Sequence, residues 1–249
     1  MNNLNDVIKS FQPKSELNPK IWTESGDKMN PKVRENLLEI ADQFISTFGI
    51  DVIISDIIIV GSIANYNWSK FSDIDLHILV DYNQFSKNLK QLYVDFFDLK
   101  KIVFNQKRDI KFFGYDVECY VEDADMKGVS GGVYSILEDE WLSKPKKENI
   151  GKPDYETIKQ KSEQWMRIID GVLDNIENES PEVIKEMIKK YKDKLKKYRL
   201  CGLEKGGEMS NENLVFKVLR RNGYIEKLYN KPTQLIDKKL SLEQKIRIK

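Results

Sequence analysis

The sequence predicts an α/β fold in which a small mixed β-sheet with flanking helices is followed by an all-helical domain. A continuous β-branched run at residues 57–60 stops at Gly61, as a buried strand entering a tight turn does. Residues 73–80 begin with alternating polar and apolar side chains, which indicates a second, half-buried strand. Beyond residue 153 the apolar residues recur at helical spacing only.

Composition argues against several classes of protein. The 41 Lys and Arg residues nearly balance the 40 Asp and Glu residues, so any basic surface must be local. Two cysteines, Cys119 and Cys201, suit a reducing compartment and exclude a disulfide framework. His77 is the only histidine, which argues against histidine-dependent triads and zinc centres. The first residues lack a signal-peptide pattern and no apolar run could span a bilayer, so we expect a cytoplasmic protein with no membrane partner.

The chain before the first strand divides into an arm and a helix. Residues 1–29 are polar and interrupted by prolines, which predicts an N-terminal arm anchored by Trp22. Asn30 followed by Pro31 predicts a capped helix start, and Gly49 is a natural stop for that helix.

Three domain segments follow from these patterns. We place the sheet-containing domain at residues 30–142 and a polar, proline-bounded linker at residues 143–153. The helical domain then occupies residues 154–249.

Two further strands and a helix complete the predicted sheet domain. Residues 112–121 alternate so that Asp116, Glu118 and Tyr120 share one strand face. Another strand is predicted over residues 133–142. Between the second strand and these, one amphipathic helix is predicted to turn a stripe inward, made of Phe85, Leu89, Leu92, Phe96, Leu99 and Val103.

Capping residues mark three helix starts in the second domain. They are Asp154, Ser180 and Ser210, and the last helix is predicted to end at Gly223. The middle helix carries a basic run within residues 185–199. Such a run either binds a phosphate backbone or is a solvated helix face.

The acidic start of the second strand is the main candidate for a site. The period of two places Asp73 and Asp75 on one face, with their Cα atoms about 6.5–7 Å apart. Two close carboxylates need a cation between them, and Mg²⁺ accepts one or two carboxylates together with water and phosphate oxygens. A glycine at Gly61 lets the backbone approach a phosphate, which the Ser62 hydroxyl can also bind.

At these residues the sequence resembles the DNA polymerase beta-like nucleotidyltransferase superfamily. Its signature is an apolar strand, Gly-Gly or Gly-Ser, a spacer of about ten residues, and Asp-x-Asp or Asp-x-Glu preceded by serine. Gly61-Ser62 and Ser72-Asp73-Ile74-Asp75 match this signature in type, order and spacing. The resemblance covers about residues 31–142, and the whole arrangement looks similar to small uncharacterised nucleotidyltransferase-like proteins encoded by phages.

The resemblance implies a nucleotidyltransferase core that uses Mg²⁺ or Mn²⁺. Such a protein transfers a nucleoside monophosphate from an NTP, with ATP as the expected donor, and releases pyrophosphate. Asp73 and Asp75 would hold the metal ions, and Gly61 and Ser62 would bind the donor phosphates. A third carboxylate is expected on a later strand, where Glu118 is the best match.

Several assignments stay open at this point. Asp116 is the alternative third acid on the same strand face. Lys217, with Arg220 or Arg221, would hold the donor triphosphate or would be an ordinary surface charge. Tyr66 and Trp68 would either stack on a base or pack the turn onto the core. His77 follows the acids on their face but is expected to be a buried, hydrogen-bonded histidine.

The acceptor and the alternative function are also open. Candidate acceptors are RNA, through the basic helix at residues 185–199, a second nucleotide, a protein side chain or a small molecule. The alternative function is a catalytically silent nucleotide-binding or antitoxin-like module on the same fold. Retention of three candidate acids favours the enzyme over that alternative.

Overall fold

The computed structural model describes residues 3–125 and 131–247 and divides the chain into two compact units. The α/β unit spans Pro13–Ile150, and the helical unit combines Met1–Gln12 with Gly151–Lys249. The boundary at residue 150 lies within the predicted linker. The boundary at residue 12 differs from the predicted arm of residues 1–29, because residues 13–29 pack into the α/β unit.

Buried aromatic contacts hold residues 13–29 in place. The Trp22 side chain is buried, and its Nε1 donates to the carbonyl of Ile63 at 2.9 Å. Its ring stacks on Trp141, with ring centroids 4.4 Å apart. The large apolar area that a tryptophan buries explains why a mostly polar segment joins the core.

A mixed sheet forms the centre of the α/β unit. Its described strands are β1 (Ile54–Val60), β2 (Ile74–Val80), β3 (Lys111–Phe112), β4 (Tyr115–Asp123), β5 (Val133–Ser135) and β6 (Glu140–Ser143). Their order is β3-β4-β2-β1-β5-β6, with β2 antiparallel to β1 and parallel to β4. The end of β1 and the start of β2 therefore lie side by side, at the same end of these two inner strands. The fold class is mixed α/β, as predicted.

The predicted alternation of β2 is confirmed. Ile74, Leu76, Ile78 and Val80 are all fully buried, whereas Asp75 and His77 lie on the opposite, partly exposed face. The single strand predicted over residues 133–142 is wrong, because the chain turns between β5 and β6. Asp139 adopts a positive φ of 56° in that turn, a conformation that aspartate tolerates better than most residues.

Helix α2 (Pro31–Ser46) begins where the sequence predicted. The Asn30 side chain accepts a hydrogen bond from the Lys32 amide, and Pro31 occupies the first turn. Leu37 and Phe44 are fully buried against the sheet in the core cluster. The amphipathic pattern thus selects the correct face of α2.

Helix α3 (Lys90–Lys107) turns a different face inward from the one predicted. Leu92 and Leu99 are 61% and 62% exposed, whereas Phe97 and Phe104 are buried. The ring of Phe104 lies 4.9 Å from that of Phe44. Helix α3 carries two apolar stripes, and the stripe with the larger aromatic area packs into the core. Of the predicted inward stripe, Phe85 and Phe96 do pack against the core cluster. The rest of the prediction is wrong, because its other members are exposed: Leu89, Leu92, Leu99 and Val103.

The helical unit contains α1 (Leu4–Lys9), α4 (Tyr155–Asn175), α5 (Pro181–Gly206), α6 (Asn211–Arg221) and α7 (Tyr224–Arg247). The predicted caps of α4, α5 and α6 are confirmed, because Asp154, Ser180 and Ser210 each accept from a backbone amide three residues later. The predicted end of the helix that starts at Ser210 is confirmed, but the prediction that this helix is the last one is wrong. Gly223 does end α6 with a positive φ of 76°, but α7 begins directly afterwards. No helix within the described ranges is long and apolar enough to cross a membrane.

The two cysteines are expected to differ in reactivity. Burial raises the pKa of the Cys119 thiol to about 12, so at pH 8 this group stays protonated as well as inaccessible. Cys201 is partly exposed. A thiol-specific disulfide reagent at pH 8 should modify one thiol in the native chain and two in denaturant. Rapid modification of both thiols in the native protein would contradict the burial of Cys119.

Candidate active site

Two serine hydroxyl groups join the start and the end of the segment between β1 and β2. Gly61 follows Val60 with a φ of 76°, which favours glycine. Ser62 Oγ donates to Ser72 Oγ at 2.8 Å, and Ser72 Oγ also accepts from the Ser69 amide at 2.9 Å. Ser72 is buried and thereby ties the turn to the residue that precedes Asp73.

Two of the predicted acids lie directly opposite each other in the sheet. Asp75 of β2 is the register partner of Glu118 of β4 in a parallel pair. Adjacent strands lie about 4.8 Å apart, and residues in register share a face. Asp73 precedes β2 and lies two residues from Asp75. All three acids are partly buried.

Tyr120 connects the three acids electrostatically. Its hydroxyl donates to Glu118 Oε2. Burial, this hydrogen bond and the charge of Glu118 raise the pKa of Tyr120, and the charges of Asp75 and Asp73 raise it further. The hydroxyl therefore lies within the field of all three carboxylates. The sequence placed Tyr120 on the face of Glu118 but did not identify this role.

Gly61 makes a close approach to the same acids. A Cβ atom at Gly61 would lie 2.3 Å from Asp75 Oδ2, closer than any real contact of that kind. Only glycine leaves room for the Asp75 carboxylate at this point. The turn and the acid are thus built as one packed unit.

Asp116 occupies a different environment from Glu118. Its side chain is 57% exposed, and Oδ1 lies 2.9 Å from Lys111 Nζ. Of the two candidate third acids, the structure brings Glu118 into register with Asp75. Asp116 forms a surface ion pair one pleat away.

His77 continues the polar face beyond the acids. Its ring stacks on Tyr120 with centroids 4.8 Å apart, and Nδ1 lies 3.1 Å from Glu122 Oε1. The neighbouring His77 imidazole lowers the pKa of Glu122. His77 is therefore largely buried, as expected, but its Nδ1 makes no hydrogen bond of good geometry among the described residues. Its ring supports the ring that carries the Tyr120 hydroxyl.

The aromatic residues of the spacer pack onto the protein. Trp68 Nε1 donates to the Glu16 carbonyl at 2.9 Å, and Tyr66 lies against the core cluster. Of the two open interpretations, packing of the turn is the one the structure favours for both residues.

Lys217 lies outside the α/β unit, which contains the three acids. It lies on α6 in the helical unit, where burial lowers the pKa of its ammonium group, as do the charges of Arg221 and Arg220. Its role in holding a triphosphate stays a prediction.

The carboxylates offer the oxygen ligands that a hard divalent cation prefers. Asp75 and Glu118 lie in register on adjacent strands, and Gly61 has no side chain beside Asp75 Oδ2. Within residues 3–125 and 131–247, no group of three or more His, Cys, Asp or Glu side chains forms a ready-made metal cluster. Mg²⁺ requires only one or two protein carboxylates, since water and substrate phosphates complete its shell.

Comparison with known proteins adds no relative to this picture. No protein-family model, curated protein or solved structure matches the chain. The proposed function therefore depends on the residues of the site alone.

Proposed function

We propose that the protein is a Mg²⁺-dependent nucleotidyltransferase that moves a nucleoside monophosphate from an NTP to an acceptor and releases pyrophosphate. The observation that carries this proposal is the register of Asp75 with Glu118 on parallel strands, beside Asp73 and the Gly61 turn. The motif resemblance supplies the reaction class, and the register supplies a reason why three separated acids would act together.

Each acid has a physical task in this proposal. Asp73 and Asp75 would hold Mg²⁺ with Glu118 completing the site, and the bound ion would neutralise charge that develops on the phosphates. Glu118 would accept the proton of an attacking hydroxyl. The hydrogen bond from Tyr120 fixes the orientation of the Glu118 carboxylate for that task.

The Gly61 turn would bind the donor phosphates. Glycine at position 61 has no Cβ, so the backbone there can approach a ligand oxygen closely. The Ser62 hydroxyl now donates to Ser72 Oγ, and it would have to turn its single proton to a phosphate oxygen to bind the donor.

The test is incubation of the purified chain with each α-labelled NTP and Mg²⁺ or Mn²⁺, alone and with total cellular RNA. The expected result is label in RNA, in the protein or in a new small nucleotide, with ATP as the preferred donor. The Asp73→Asn/Asp75→Asn protein should transfer none. NTP binding without transfer under every condition would instead support the catalytically silent alternative.

Gly61→Ala tests whether the turn and the acids form one site. Alanine at positive φ costs about 1 kcal/mol, and its Cβ would displace the Asp75 carboxylate from its position 2.3 Å away. We expect transfer to fall about 10²-fold, as misplacement of a reacting group by about 1 Å does.

Gly49→Ala is the matched control for this variant. Gly49 has a similar φ of 70°, but a Cβ there would meet nothing within 4 Å. Both variants should lose similar stability, while only Gly61→Ala should lose transfer. Equal activity of the two variants would show that the Gly61 turn is not part of the site.

A further inference from the structure

Helices α5 and α7 enclose a groove in the helical unit. Its volume is about 470 Å³. The lining residues combine lysines with an aromatic ring and aliphatic side chains: Lys185, Ile188, Lys189, Lys192, Asp193, Lys196, Tyr229, Pro232, Thr233 and Ile236. The groove thus pairs positive charge with apolar surface, within a single compact unit of the protein.

The lysines of the groove form one regular row. Lys185, Lys189, Lys192 and Lys196 follow one another at steps of four, three and four residues, which places them on one face of α5. The row extends about 16 Å along the helix axis. Such a row can contact several phosphates of one nucleic-acid strand.

The positive charge of this row is not neutralised within the protein. Among the described side chains, no carboxylate lies within 4.0 Å of these four ammonium groups, although Asp193 also lines the groove. Lysines elsewhere in the unit do find partners: Lys231 lies 3.0 Å from Glu177, and Lys227 lies 3.7 Å from Asp170. The row is therefore a concentration of unpaired positive charge in a concave surface.

Tyr229 supplies an aromatic surface beside the row. The Lys192 ammonium lies 3.7 Å from the centroid of its ring, and burial lowers the pKa of Lys192. The tyrosine nevertheless stays 51% exposed. Aromatic rings in basic grooves bind single-stranded nucleic acids by stacking on the bases, whatever their sequence.

We propose that this groove binds the phosphodiester backbone of a single-stranded nucleic acid, with Tyr229 stacking on a base. An acidic protein segment would satisfy the charges, but it offers no flat base to stack on the exposed ring. Of the two interpretations of the basic run, the row in the groove favours phosphate binding for these four lysines. The proposal is independent of the transfer reaction, because binding is measured without turnover.

The test measures binding of fluorescein-labelled 20-nucleotide oligo(U) and oligo(dT) to the full chain by fluorescence anisotropy over a series of salt concentrations. Lys189→Glu/Lys196→Glu should weaken binding at least about ten-fold and reduce the salt slope by at least about 1.4, at about 0.7 for each phosphate contact on a single strand. Tyr229→Leu should weaken binding at least about five-fold. Tighter binding of one oligonucleotide would identify RNA or DNA as the source of the backbone.

Lys190→Glu/Lys197→Glu is the matched control. These lysines are exposed on the same helix and lie outside the groove, and the net charge changes equally. We expect binding within about two-fold of the unmodified chain, with circular dichroism confirming that both variants fold. Equal losses in both double variants would overturn the proposal. It would also be overturned if neither oligonucleotide bound at low salt, or if poly-glutamate of equal charge displaced oligo(U) as well as unlabelled oligo(U) does.

Discussion

Replacing Asp75 with asparagine is expected to lower the rate of nucleotidyl transfer about 10³-fold. The substitution keeps the size of the side chain but removes the charge opposite Glu118 and beside Gly61. Because the side chain keeps its size, the free energy of unfolding should change by less than about 1 kcal/mol. Transfer of label from an α-labelled NTP, with the acceptor fraction that supports it, measures the effect.

Asp116→Asn is the matched control, because it makes the same chemical change on the same sheet face. Asp116 is mostly exposed and paired with Lys111, and such surface pairs contribute about 0–1 kcal/mol. Its transfer rate should stay within about two-fold of the unmodified chain. If Asp116→Asn lost activity while Glu118→Gln kept it, the choice of Glu118 as the third acid would be wrong.

Leu37→Ala is expected to destabilise the α/β unit by about 3 kcal/mol or more. Leu37 is fully buried on α2, and truncation would leave a cavity among side chains that cannot fill it. Hydrogen exchange of the β1 and β2 peptides measures the free energy of opening in this unit alone. The protection of these peptides should fall accordingly.

Leu99→Ala makes the same truncation on the exposed stripe of α3. Leu99 is mostly exposed, so the free energy of opening should change by less than about 0.5 kcal/mol. The inward stripe predicted from the sequence would require a large loss here instead. A loss similar to that of Leu37→Ala would contradict the observed packing of α3.

Local patterns predicted the elements that carry the site. The β-branched run before Gly61 and the alternation after Asp73 depend only on neighbouring residues, and both strands are present. The caps at Asn30 and Asp154 are equally local, because each side chain bonds an amide two or three residues away. Such features are visible without knowledge of the tertiary fold.

Features that depend on long-range contacts were harder to predict. The register of Asp75 with Glu118 joins residues on parallel strands separated by α3, so no local pattern could choose Glu118 over Asp116 with certainty. Helix α3 has two apolar stripes, and only the space beside Phe44 selects the one with Phe97 and Phe104. The role of Tyr120 depends on the hydrogen bond from its hydroxyl to Glu118, which no sequence pattern indicates.

Helix α7 and residues 13–29 show a second limit. Pro232 lies inside α7 and Gly223 precedes it, so both residues resemble helix breakers in the sequence. Residues 13–29 are polar overall, and their place in the core depends on long-range contacts such as that of Trp22 with Ile63. Periodicity cannot indicate a buried segment with so few apolar residues.

The most direct test of the proposed reaction compares ATP labelled at the α-phosphate with ATP labelled at the γ-phosphate. We expect the α label to move to the acceptor and the γ label to leave as pyrophosphate. Both events should require Mg²⁺ or Mn²⁺ and intact Asp73 and Asp75. Transfer of the γ label, its release as orthophosphate, or unchanged transfer by the Asp73→Asn/Asp75→Asn protein would contradict the proposed function.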